Sequence, residues 1–71
     1  MKKKYCFAES GGKVVCYARF TSIRRAVSWF IYFYDLGPDA RFVQSGLEYA
    51  SIYVDGDVSG LCSDYVVFGV D

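Results

Sequence analysis

The sequence predicts one small α+β domain spanning residues 1–71, with an antiparallel sheet of four or five strands packed on one helix in the order β-β-α-β-β. Three observations carry this reading. Two alternating segments are joined through Glu9–Gly12, a run with helical spacing stops at Gly37-Pro38, and further alternating segments fill the C-terminal half.

Taken in order, residues 3–8 (KKYCFA) and 13–20 (KVVCYARF) read as a hairpin closed by Gly11-Gly12. In the second strand Val14, Cys16, Ala18 and Phe20 form the more apolar set. They are expected to face the core with Tyr5 and Phe7. A tight turn sets Phe7 opposite Cys16 and Cys6 opposite Tyr17, so Cys6 and Cys16 point to opposite faces and cannot bridge. Thr21 or Ser22 offers an N-cap for a helix to about Leu36, with Ile23, Val27, Phe30 and Tyr34 on one narrow face. Residues 41–45 suit a short strand. In residues 47–54, Ala50, Ile52 and Val54 alternate with Tyr49, Ser51 and Tyr53, and residues 61–70 supply the last strand.

A chain of 71 residues buries only about 60% of its unfolded surface, so it needs a dense core or a partner. At 54% hydrophobic and 20% aromatic it is well supplied. The longest apolar run, Trp29 to Tyr34, falls far short of the ~20 residues that span a bilayer. Met1-Lys2-Lys3-Lys4 mimics the basic start of a signal peptide, but Glu9–Gly12 interrupt the apolar segment that would have to follow. A cytoplasmic protein with reduced, mostly buried thiols is expected, with no membrane partner.

The segment DGDVSGLCSDYV, residues 55–66, imitates a calcium loop. Asp55, Asp57 and Ser59 take alternate ligand positions and Gly60 the sharp turn, with the Leu61 carbonyl next. Val66 stands where a bidentate Glu is required, and both flanks read as strands. The segment is therefore read as a hairpin connection turned by Asp55-Gly56, with no metal and no cofactor.

The chain has no histidine, which removes the commonest general base and metal ligand. No Lys or Arg arrangement brackets a cysteine as an activated thiolate. The reading is a binding protein, not an enzyme. Net charge is zero, yet residues 1–34 carry seven cations against Glu9 alone, and residues 35–71 carry seven carboxylates against Arg41 alone. Asymmetry of this kind points toward partners.

Two surfaces compete. Arg25, Trp29, Tyr32 and Leu36 align at helical spacing on the side away from the core, an aromatic stripe suited to a protein partner or a homodimer. On the outward sheet face, Tyr49 and Tyr53 accompany Glu48, Asp55, Asp57 and Asp64, which suits a larger protein with a basic surface. A nucleic-acid reading through Lys2–Lys4, Lys13, Arg19, Arg24 and Arg25, with Tyr5 and Tyr17 nearby, ranks lower because the pI is only about 6.1. In build the chain resembles the small phage-encoded anti-defence proteins, notably anti-CRISPR inhibitors. The shared features are size, an α+β layout, the lack of a catalytic set and segregated charge. The resemblance implies an inhibitor that occludes a nucleic-acid-binding groove in a host cytoplasm, and no functional position is carried over from it.

Overall fold

In the computed structural model, which describes residues 1–60 and 62–70, five strands and one helix follow the order β-β-α-β-β-β. The elements are β1 (Lys3–Glu9), β2 (Val14–Phe20), α1 (Ile23–Phe33), β3 (Arg41–Gly46), β4 (Tyr49–Tyr53) and β5 (Tyr65–Val70). All neighbours are antiparallel in the spatial order β2-β1-β5-β4-β3. The predicted fold class holds, with residues 41–46 as the fifth strand.

Cys6 pairs with Tyr17 and Phe7 with Cys16 as expected, but the turn is not a tight Gly11-Gly12 one. The Glu9 N–H donates to the Lys13 carbonyl and the Gly12 N–H to that of Glu9, which makes a three-residue loop, Ser10 to Gly12. One residue further, a register shift sets Ala8 opposite Val14 and leaves Val15 as the extra residue of a bulge. This corrects the expected core set, because Val14 is 48% exposed while Val15 packs against the core with Cys16, Ala18 and Phe20. The other edge strand, β3, also shifts register between Gln44 and Gly46. Bulges on both edges discourage further strands from adding to the sheet.

Ser22 caps the helix, its Oγ accepting from the Arg25 N–H at 3.3 Å. The helix ends at Phe33, earlier than the Gly37-Pro38 signal suggests. Asp35 takes the left-handed conformation (φ +52°), the Leu36 N–H donates to the Ile31 carbonyl, and the Asp35 N–H donates to that of Tyr32. This is a Schellman ending with Asp where Gly is usual. Leu36 and Ile31, the positions whose apolar side chains usually accompany this ending, both pack on the core.

The core lies between α1 and one face of the sheet. Ile23, Ala26, Val27 and Phe30 from the helix meet Tyr5, Phe7, Ala50, Ile52 and Val67. Phe7, wholly buried on β1, stacks on Phe30 with ring centroids 5.1 Å apart and an interplanar angle of 15°. Trp29 does not face outward as the helical spacing suggests. Its ring lies 5.3 Å from Phe7, 5.2 Å from Phe20 and 5.1 Å from Phe33. The last strand starts at Tyr65, not residue 61, because the Asp64 carboxylate turns back onto the Val54 N–H. Leu61, the remaining predicted residue of that strand and of the calcium-like loop, lies outside the described residues. Cys6 is buried and Cys16 half-buried, but Cys62 is exposed, so the thiols are less uniformly buried than expected.

Two stability measurements follow. Phe30→Ala should cost about 3–5 kcal/mol in urea unfolding, whereas Tyr32→Ala, at a position 87% exposed, should stay within about 0.5 kcal/mol. Asp35→Gly should raise stability by roughly 0.5–1 kcal/mol, because it relieves a left-handed non-glycine residue and removes a negative charge from the negative end of the helix.

Candidate interaction surfaces

Side chains alternate along each strand, so α1 covers one face of the sheet and leaves the other without a second layer. The bare face carries Lys4, Cys6 and Ala8 of β1, Val14, Tyr17 and Arg19 of β2, Val66, Phe68 and Val70 of β5, Tyr49, Ser51 and Tyr53 of β4, and Arg41 and Val43 of β3. Two contacts mark its orientation: Tyr49 stacks on Phe68 at 6.4 Å, and Lys4 Nζ lies 4.9 Å from the Tyr17 ring centroid.

Folding turns the charge asymmetry of the sequence into two ends of one sheet. Lys2, Lys3, Lys4 and Arg19 gather where β1 begins and β2 ends, and α1 starts there with Arg24 and Arg25. Glu48 is the one carboxylate at that end among the described residues, and it pairs with Lys3 at 3.2 Å across Gly69, where a side chain would collide with both. At the opposite end lie Glu9, Asp35, Asp39, Asp55, Asp57 and Asp64, with Lys13 and Arg41. The Arg41 guanidinium donates to the Pro38 and Ala40 carbonyls at 3.1 and 3.0 Å. Strands of seven residues hold the two ends roughly 20 Å apart.

Three carboxylates of the acidic end, Asp55, Asp57 and Asp64, accept from backbone N–H groups. Asp55 Oδ1 accepts from the Asp57 N–H at 3.0 Å, and Asp57 Oδ1 accepts from Ser59 Oγ at 2.7 Å. Asp64 Oδ2 accepts from the Val54 N–H at 2.8 Å, while Ser63 and Ser10 join hydroxyls at 2.8 Å. These are the bonds of a stiff connection whose acids serve the turn itself. No group of three or more His, Cys, Asp or Glu that could hold a metal occurs among the described residues. Nor is any helix among them long and apolar enough to cross a membrane.

The sequence-predicted residues therefore separate. Of the helix stripe, Arg25 and Tyr32 are exposed, whereas Trp29 and Leu36 pack against the core. Tyr49 and Tyr53 do lie on the uncovered face, but only Tyr53 borders the acidic end. Glu48 sits with the cations, and Asp55, Asp57 and Asp64 share one loop region. Sequence reasoning missed Phe68, which joins Tyr49 only because β5 pairs with β4. The Tyr34 phenol is held above its ordinary pKa, first by its hydrogen bond to Cys16 and then by desolvation. No protein-family model, curated protein or solved structure matches the chain.

The acidic loop depends on Gly56, which has φ +82° and where a Cβ would stand 2.7 Å from the Asp39 carbonyl oxygen. Gly56→Ala should destabilise by about 1–3 kcal/mol. Gly60→Ala, with a nearest contact of 3.1 Å and no positive φ, should cost less by thermal unfolding.

Proposed function

We propose that the chain is a non-enzymatic protein-binding module that occludes a larger partner by seating its acidic end on that partner's basic surface. The observation that carries this reading is the survival of charge segregation through folding. Six of the eight carboxylates collect at one end of the sheet, where interleaving of the two halves would have cancelled them. Charge gathered this way steers encounter with a basic surface and orients the approach. The backbone bonds at Asp55, Asp57 and Asp64 add preorganisation, so little ordering cost remains to be met on binding. Tyr53, at the border of this end, supplies an aromatic contact suited to Arg or Lys.

Among basic surfaces, the nucleic-acid groove of a bacterial defence complex is the kind that the resemblance in build to phage anti-defence proteins suggests. On that reading the chain works in a host cytoplasm and needs no cofactor.

Competition tests the reading. Purified defence effector complexes are offered their target DNA with and without the chain. Wild type should abolish DNA binding at stoichiometric amounts, and D55N/D57N/D64N should associate at least about 10-fold more slowly. DNA binding left intact by wild type in every complex, or lost equally with the triple variant, contradicts the proposal.

A further inference from the structure

We infer that the uncovered face of the sheet is a platform for single-stranded nucleic acid, separate from the acidic end. The register aligns two adjacent rows across the strands. Tyr17, Cys6, Phe68 and Tyr49 form one row over four neighbouring strands, β2, β1, β5 and β4. Arg19, Lys4 and Val70 form the next row, toward the basic end. Three aromatic rings thus cross the sheet over three strand spacings, roughly 14 Å, with cations along one side.

Single strands are bound by this combination: rings that stack unpaired bases and a positive track for the phosphates. Tyr17 and Tyr49 are 49% and 42% exposed, so each keeps ring surface open to a base beside the Lys4 ammonium over Tyr17 and the Phe68 ring stacked on Tyr49. Cys6, only 2% exposed, leaves the row low between Tyr17 and Phe68. Beside the basic row, a shallow cleft of about 370 Å³ is lined by Met1, Lys2, Lys3, Lys4, Arg19 and Val70. No strand position on the uncovered face carries a carboxylate. Charge complementarity calls for an anionic occupant, and the row of rings beside the cations favours a polyanion with free base faces.

The zero net charge does not oppose this. Glu48 is paired with Lys3 at the basic end, and the six carboxylates of the acidic end lie roughly 16–20 Å from the basic row, beyond a Debye length of about 8 Å at physiological ionic strength. Of the cations and tyrosines the sequence suggested for such a role, Lys2, Lys4, Arg19 and Tyr17 are placed for it. Tyr5 is buried under the helix, Lys13 is at the acidic end, and Arg24 and Arg25 are on α1. A duplex fits poorly, since its bases are already stacked and offer no free faces.

The test is fluorescence anisotropy with labelled oligothymidylate and oligouridylate of about 12 nucleotides, against a duplex of the same length. Three phosphate contacts predict single-strand affinity about 20-fold weaker when salt rises from about 50 to 200 mM. Tyr17→Ala and Tyr49→Ala should each weaken binding roughly 5-fold or more, and Tyr17→Trp should restore it. Arg19→Gln should lower the salt slope by about 0.7, and Lys13→Gln should leave it unchanged. Circular dichroism of each variant separates lost binding from lost folding. Three results would overturn the inference: no single-strand binding at low salt, equal binding of duplex, or indifference to both tyrosine substitutions. Light scattering that shows a stable dimer broken by Tyr49→Ala would assign the face to a second copy instead. None of these outcomes bears on the acidic end, which is tested by the competition for DNA.

Discussion

One helix of eleven residues, about 16 Å long, has to anchor a five-stranded sheet roughly 19 Å wide, and it can cover only one face. The Phe7–Phe30 stack fixes which face that is. Phe7 stands on β1, beside the middle strand, and Phe30 is the last buried residue before α1 ends, so the stack pins the C-terminal half of the helix and sets its roll. Trp29 and Phe20 then close around Phe7, and Tyr65 meets Phe30 from β5 at 5.2 Å. Every residue of opposite parity on the sheet is left facing outward. The uncovered row of aromatics is therefore a consequence of the same stack that makes the core.

The direction of the helix reinforces the charge pattern. α1 starts at the basic end and finishes at the acidic end, so its macrodipole adds positive potential where Arg24 and Arg25 already sit and negative potential at Asp35. Each placement costs a few tenths of a kcal/mol in helix stability. Those costs are small beside the burial of the aromatic core, and they leave the molecule with two ends of opposite sign. Charge distributions of this kind govern encounter and orientation more than fold.

Much of the architecture was legible locally. Gly11-Gly12 marked the turn between β1 and β2, Ser22 marked the helix start, and Asp55-Gly56 announced a turn. Four features were not. The bulge at Val15 inserts one residue, which undoes strict alternation, and nothing in KVVCYARF distinguishes it from a regular strand. The helical spacing of Trp29 gave its angle but not its reach, and a large ring on the flank of the apolar face folds inward onto Phe7 and Phe20. The aromatic row required the strand order, because Phe68 meets Cys6 on one side and Tyr49 on the other only when β5 lies between β1 and β4. No local pattern encodes that order. The charge runs along the chain were visible, but their conversion into two ends of one sheet was not.

Trp29 gives the most direct measurement of this arrangement, since it is the only tryptophan and reports which side of the helix faces the sheet. With its ring set among Phe7, Phe20 and Phe33, its emission should be blue-shifted and shielded from acrylamide, and should move to the red on unfolding in urea. Emission and quenching like those of free tryptophan in the folded protein would mean that the helix presents Trp29 to solvent. That result would contradict the packing that leaves the far face of the sheet as the bare surface.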